Sequence, residues 1–376
     1  MQDENNNIVN EPAVEIEDVN TGVLMERPFN PSQIDISTKA PTLDLLIKRL
    51  KTNPPEIDLY PDFQRQDDLW DAGKQSRLIE SLLIKFPLPA FYFDGTDNNK
   101  WLVVDGLQRL SAIRNFVIDK SLKLTGLEFL KKLEGETFDG LPRNLQRLIE
   151  ETQVTAYIIN PGTPDEVKFN IFKRVNTGGL VMEPQEIRHA MNQGIPAIYV
   201  KELAQQKEFI DATQGAVNPS RMLDREFVTR FISFYFNDYK TYIPDLDTFM
   251  NTSMSNIKKL NDSERETMKN DFKSSMKLAK DIFGIWAFRK SDKYPVKRKP
   301  INKALFEVWS VSLAKLNENQ RKVLENRKEI LFNKSVELIK QDGIFFNSIT
   351  TSTGNKSSVA YRFSSIEKII QETLEA

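Results

Sequence analysis

KWLVVDGLQRLSAIRNF, residues 100–116, decides the reading of this chain. Trp101–Val104 are β-prone and follow a polar turn, whereas Leu107, Leu110, Ile113, Phe116 and Val117 recur at helical spacing. The change from strand to helix therefore falls at Asp105-Gly106. A glycine there lets main-chain amides approach an anion, and the free N–H groups and dipole of the first helical turn favour negative charge. Gln108 and Arg109 fall off the apolar stripe, so they are expected to stand free for a ligand. An ordinary Asp-Gly turn followed by a solvated arginine would carry the same pattern, so this stretch needs company elsewhere in the chain.

Working outward, Leu88–Phe93 and Trp101–Val104 flank the turn 94–99 as a hairpin. Ile57–Tyr60 reads as a strand entering a loop that ends at Trp70, and Lys74–Phe86 as a helix stopped by Pro87. A short helix is expected from Thr42 or Asp44 to Leu50, a Lys/Leu-rich one near Leu127–Leu133, and another over Pro142–Glu150. Gln153–Ile159 reads as a strand, Thr163–Arg174 as a helix ending at Asn176-Thr177-Gly178-Gly179, and Glu183–Asn192 as a further helix. Beyond Pro196 strand signals nearly vanish, and amphipathic patterns over 221–240, 256–288, 301–316, 318–340 and 364–375 predict an all-helical region. The first 38 residues are rich in Asn and acids with no apolar period and are expected to lack structure. The expected organisation is α+β: a disordered segment 1–38, a domain over 39–194 and a helical domain over 195–376, with the boundary near Asn192–Pro196.

Composition narrows the chemistry. The 376 residues are 40% hydrophobic, enough for a sizeable core, and contain no run long enough to span a bilayer. Neither a membrane span nor a secretory leader is expected, which gives a cytoplasmic location by default. With no cysteine, disulfides, thiolate catalysis and thiolate metal sites are excluded. The single histidine, His189, excludes sites that need two imidazoles. A metal would be held by carboxylates, carbonyls or phosphate, which suits Mg²⁺. A net charge of −1 offers no global attraction to nucleic acid, so DNA binding would need a local patch.

Three segments could supply such chemistry besides the opening one. Phe63-Gln64-Arg65, in the loop after a strand, offers an amide and a planar guanidinium suited to phosphate, or to a surface pair with Asp67 or Asp68. Arg174 through Gly179 places Asn176 among helix-stop residues that also bring backbone close to a ligand. Arg289, Lys290, Lys293, Lys297, Arg298, Lys299 and Lys303, interleaved with Trp286, Phe288 and Tyr294, form either a nucleic-acid contact or a solvated basic loop. By contrast Pro164-Asp165-Glu166-Val167-Lys168 holds the pieces of a carboxylate nuclease at the wrong spacing, and acids at a helix start suit the dipole.

Taken in order, PDFQR(x)₄W, LIESLL, FPLPAFYF, VVDGLQRLSAIRNF and FNIFKRVNTGGLVMEPQEIRHA resemble the domain of unknown function 262 family, the GmrSD-type N-terminal domain, over about residues 40–195. That family is similar to the ParB and sulfiredoxin fold, and its Asp-Gly-Gln-Gln-Arg element is associated with nucleotide binding and hydrolysis in restriction and phage-defence proteins. The resemblance implies a nucleoside triphosphate with Mg²⁺, bound by Gln64, Arg65, Gly106, Gln108, Arg109 and Asn176. Asp105 would hold the metal or an attacking water, and Asp105 with Arg109 would serve any NTPase chemistry.

The chain departs from the family at Leu107, where the first Gln of the pair is usual. That change is expected to alter packing more than phosphate contact, and it leaves hydrolysis open. With one histidine the chain cannot carry the family's usual His-Asn-His nuclease partner domain, so the expected role is sensing or gating in a DNA-directed system. The nuclease or other effector would be a separate polypeptide. DNA would be met through Arg289, Lys290, Lys297, Arg298 and Lys299. A non-catalytic nucleic-acid or protein adaptor and, behind it, a ParB-like nuclease are the alternatives.

Overall fold

Alternation in the first half and 3.6-residue periodicity in the second give two structural units, Phe29–Met191 and a helical unit formed by Asn192–Ala376 with the N-terminal residues to Pro28. The computed structural model describes residues 13–17, 30–59, 70–97, 99–175, 182–291 and 298–376.

The first unit runs β1 (Ile36–Lys39), α1 (Leu43–Lys51), β2 (Ile57–Asp58), α2 (Ala72–Leu83), β3 (Phe91–Asp97), β4 (Lys100–Asp105), α3 (Leu107–Ile113), α4 (Arg143–Glu151), β5 (Ala156–Ile159), α5 (Asp165–Val175) and α6 (Pro184–Met191). The strands form one sheet in the order β1-β5-β3-β4-β2. The β3–β4 hairpin and the β1–β5 pair are antiparallel, whereas β3–β5 and β2–β4 are parallel.

Period-two alternation sends Phe91 and Phe93 to one face, where with Trp101, Val103, Ala156 and Ile158 they join a core shared with α1, α2 and α3. Each such aromatic, fully buried, contributes roughly 1.5–3 kcal/mol. The opposite face carries Val104 and Ile159 against Phe169 and Phe172 of α5 and Ile187 of α6. Helices thus cover both faces, and the ends of β4 and β2 reach the same edge of the sheet because the two strands run parallel.

Three expectations are corrected in this unit. Residues 36–38 are expected to lack structure but, with Lys39, form the edge strand β1, held by β5 in register Ile36↔Ile159 to Lys39↔Ala156. A four-residue polar edge strand carries no apolar period, so its pairing partner alone reveals it. The Lys/Leu-rich stretch near 127–133 is not an α-helix but a short 3₁₀ turn, Lys131–Leu133. The N–H groups of Glu128, Phe129 and Leu130 are taken by the Glu80 carboxylate of α2 at 3.0, 2.7 and 2.7 Å, which holds this stretch as a loop wrapped on that acid. The strand expected over Gln153–Ile159 is regular only from Ala156.

The helical unit comprises α7 (Ile195–Ala204), α8 (Lys207–Thr213), α9 (Leu223–Phe236), α10 (Leu246–Asn256), α11 (Asp262–Phe283), α12 (Lys303–Ala314), α13 (Glu318–Asn326), α14 (Lys328–Gln341), α15 (Gly343–Ser348) and α16 (Lys356–Glu375). Phe227, Phe231, Phe234, Phe272 and Phe306 form the aromatic centre of its core. The pattern over 318–340 divides into two helices at Arg327, whose guanidinium caps α16 by donating to the Thr373 and Leu374 carbonyls at 2.9 and 2.8 Å. Residues 13–17, also expected to be unstructured, belong to this unit. Among the described residues no helix is long and apolar enough to cross a membrane.

Candidate functional site

β4 delivers Asp105 to the edge of the sheet, and Gly106 turns the chain into α3. Gly106 has φ +102°. A Cβ at that position would lie 2.4 Å from Phe91 Cδ1 and 3.3 Å from Arg109 Nη2, so glycine is required both by conformation and by close packing. From Gly106 the helix rises through Leu110, whose N–H donates to the Gly106 carbonyl at 2.9 Å, and widens into a π-type turn over Arg114–Ile118.

Arg109 is not the free cation expected from its wheel position. It is 7% exposed, with its guanidinium over the Phe91 ring, 4.5 Å from the centroid. Nη1 donates to the Pro89 carbonyl, and Nη2 donates to the Ala90 carbonyl at 3.2 Å and to Asp105 Oδ2 at 2.9 Å. The helix face opposite the stripe is closed by the Pro89–Ala90 bend that leads into β3. Burial pulls the Arg109 pKa down, and the neighbouring Asp105 charge works against that shift. What Arg109 does here is hold Asp105 and two main-chain carbonyls. Oδ1 of Asp105 has no hydrogen-bond partner among the described residues and the side chain keeps partial solvent access.

Gln108 is also engaged. Its Oε1 accepts the Trp70 N–H at 2.8 Å, while Gln75 Nε2 donates to the Trp70 carbonyl at 2.6 Å and Asn115 Nδ2 donates to Gln75 Oε1 at 2.9 Å. This relay fixes Trp70, and β2 lies beside β4. Gln64, Arg65 and Asn176 themselves lie outside the described residues. The departure at Leu107 packs, partly buried, against the core beneath α3.

Sequence reasoning missed a row of side chains on the other face of the sheet. Thr38, Tyr157, Tyr92 and Asp105 occupy consecutive register positions across β1, β5, β3 and β4. The two tyrosine rings stack at 4.8 Å. Burial, then Tyr157 and the Asp105 charge, push the Tyr92 hydroxyl above its ordinary pKa. The signal was present in Phe-Tyr-Phe, residues 91–93, where alternation puts the tyrosine on the face away from both phenylalanines.

The acids at 165 and 166 begin α5, and Lys168 pairs with Asp165 at 2.8 Å and approaches Asp94 at 3.9 Å. His189 is buried on α6.

The basic segment is largely consumed internally. Arg289 is buried and donates to the Lys299 carbonyl; burial, with Arg298 nearby, pulls its pKa down to about 10. Lys290 pairs with Glu15, and Lys303 with Glu226 at 2.9 Å. Lys293 and Lys297 lie outside the described residues, which leaves Arg298 and Lys299 as the exposed cations described there.

Residues 44–192 match the family model described as the N-terminal domain of the GmrSD restriction endonuclease. None of the curated proteins and none of the solved structures compared matches the chain.

Proposed function

Since residues 44–192 are a domain of the GmrSD N-terminal type, we propose that the chain is the nucleotide-responsive component of a DNA-directed restriction or phage-defence system whose nuclease resides on another polypeptide. The observation that carries this reading is the Asp105–Gly106–Arg109 junction. A carboxylate is held at a sheet edge by a buried arginine, with one oxygen left open, next to the left-handed Gly106 that turns β4 into α3. Its kinship to the ParB and sulfiredoxin fold is part of the same proposal.

Mg²⁺ and a nucleoside triphosphate fit this junction in one way only. A single open carboxylate oxygen suits a cation whose remaining ligands are phosphate oxygens and water, and among the described residues no three acidic or histidine side chains gather to cage one. Bound there, Mg²⁺ would supply charge neutralisation for the phosphates.

The chain's own residues then divide the work. Arg109 is a positioning residue that keeps Asp105 aimed. Asp105 would hold the metal or orient water. Gly106 would give the phosphates access to main chain. Gln108 anchors Trp70, and Gln64, Arg65 and Asn176 would add phosphate contacts. DNA contact, on this reading, falls to Arg298 and Lys299 with Lys297, rather than to Arg289 or Lys290.

A non-catalytic adaptor is the second reading, favoured by the same burial of Arg109, since its guanidinium is occupied by protein. A panel of nucleoside triphosphates, with Mg²⁺ and with or without DNA, separates the two when binding and phosphate release are scored independently. Mg²⁺-dependent binding lost in Asp105→Asn supports the nucleotide reading, and phosphate release adds turnover. Binding of DNA with no nucleotide bound at millimolar concentration replaces it with the adaptor.

A further inference from the structure

The segment Ala13–Glu17, AVEIE, lies extended against the helical unit. Its main chain pairs with Ile301: the Glu15 N–H donates to the Ile301 carbonyl at 2.8 Å, and the Ile301 N–H donates to the Ala13 carbonyl at 3.0 Å. Ile301 bridges in parallel to Val14 and antiparallel to Arg289, so the segment adds a strand to a miniature ladder. Alternation along that strand places Glu15 and Glu17 on the protein side, whereas Ile16 is 87% exposed.

The two acids are read by different groups. Glu15 accepts from Lys290 Nζ and, at 2.9 Å, from Asn302 Nδ2. Glu17 accepts from both Nη atoms of Arg230 and from Thr353 Oγ1. Behind Arg230, Glu307 also pairs with the fully buried Arg362, and Glu226 with Lys303. Among the described residues, the cations Arg230, Arg362 and Lys303 face the carboxylates Glu17, Glu226 and Glu307. Two of those carboxylates come from the helices α9 and α12, and the third comes from the extended segment. Burial alone would lower the Arg230 pKa, but Glu17, Glu226 and Glu307 together raise it above its ordinary value. Without Glu17 the buried Arg230 loses the carboxylate that both its Nη atoms bond, and removing one partner of a buried pair costs far more than removing an exposed one.

We propose that the helical unit carries a receptor groove for an extended acidic peptide of Glu-x-Glu pattern, built by Arg230, Lys290, Ile301, Asn302 and Thr353, and that residues 13–17 are its intramolecular occupant, exchangeable for the same motif on a partner protein. Strand addition fixes the direction of the peptide, and the two cations select acids at alternate positions. Tethering gives the internal segment a millimolar-scale advantage, so a partner must present its own acidic motif at high local concentration. The groove thereby couples partner arrival to release of the N-terminal segment.

The test uses the full chain and a labelled synthetic peptide, Pro-Ala-Val-Glu-Ile-Glu-Asp. Glu15→Gln with Glu17→Gln should weaken the internal occupant, so this double variant should bind the peptide saturably and at least about tenfold more tightly than the wild type does. A peptide with Gln at both acidic positions should bind neither. In parallel, Asn7→Cys, the sole thiol in a chain without cysteine, carries a fluorophore on the otherwise wild-type protein. Millimolar acidic peptide should lower its anisotropy, and the Gln peptide should not. A folded double variant that ignores the peptide overturns the proposal. If the double variant does not fold, an unchanged anisotropy in the labelled protein overturns it equally, and leaves residues 13–17 as a permanent structural strand.

Discussion

Arg109 grips Asp105 from one helical turn away, Nη2 to Oδ2 at 2.9 Å, while its guanidinium lies on Phe91 and donates to the carbonyls of Pro89 and Ala90. The residue that a helical wheel offers as a free ligand is thus a buried fastener.

Arg109→Ala should destabilise the Phe29–Met191 unit by about 2–4 kcal/mol, because two main-chain carbonyls and a partly buried carboxylate lose their donor at once. Arg109→Lys should recover only part, since one ammonium cannot span three acceptors. Urea unfolding of both variants checks this, with Leu110→Ala, a cavity costing about 2–5 kcal/mol, as the reference. A wild-type midpoint for Arg109→Ala would return the side chain to solvent.

Gly106→Ala should cost at least about 1–3 kcal/mol, from left-handed backbone and a Cβ placed 2.4 Å from Phe91. A companion Phe91→Leu should relieve the steric part and leave the conformational part. The unfolding free energies of the two single variants and the double variant separate these contributions.

Gln108→Leu keeps the volume of the side chain but removes the acceptor for the Trp70 N–H. Exchange of the Trp70 amide with solvent should accelerate by about tenfold or more, with a smaller rise at Gln75, and global stability should fall by about 1–2 kcal/mol. Hydrogen exchange resolved at single amides reads both. If nucleotide binding depends on Gln64 and Arg65, Gln108→Leu should weaken it although Gln108 itself touches no ligand.

Glu80 gives a pH prediction. Burial opposes its ionisation, but the N–H groups of Glu128, Leu130 and Phe129 outweigh this and hold its pKa below the ordinary value of 4.5. The folded state therefore binds this proton more weakly than the unfolded chain does. The stabilisation is complete above pH 4.5 and is lost as pH falls through the lower folded value. The stability gap between wild type and Glu80→Gln should be flat near neutrality and shrink in acid. A gap that widens on acidification would contradict the assignment.

Glu307 and Arg362 should fail together more gently than apart. Either Glu307→Leu or Arg362→Met alone leaves a buried charge facing an apolar partner, at a cost of about 3–5 kcal/mol. The double variant should be less destabilised than the sum of the two, by about 1–3 kcal/mol of coupling, in a thermodynamic cycle built from chemical denaturation.

Much of this architecture was legible because its signals are local. Period-two alternation in Phe91–Phe93 and Trp101–Val104 marked the hairpin, and the Asp105-Gly106 step marked the strand-to-helix junction. Thr163-Pro164 marked the start of α5, whose first helical residue is Asp165. What escaped was decided by distant partners. β1 reads as polar coil until β5 pairs with it. The Lys/Leu pattern near 127–133 looks helical, but Glu80 of another helix binds the stretch as a loop, a contact across about fifty residues of sequence. Periodicity placed Arg109 correctly on α3 and still misjudged it, since a wheel describes one helix and not the bend that closes over it. Glu15 and Glu17 read as solvated acids because their cations lie far along the chain.

The strand order carries a consequence for synthesis. Ser37 Oγ donates to Asn160 Oδ1 across a separation of 123 residues, at the place where the first strand of the sheet meets the last. During translation β1 leaves the ribosome with nothing to pair with, and its edge stays unsatisfied until β5 has emerged. The hairpin β3–β4 and α3 can assemble earlier, so Asp105 and Gly106 are in place before the sheet is complete. Closure of the sheet is then a late event, exposed to competing strand edges in the interval, and a translational pause placed after β5 has cleared the ribosome would favour it.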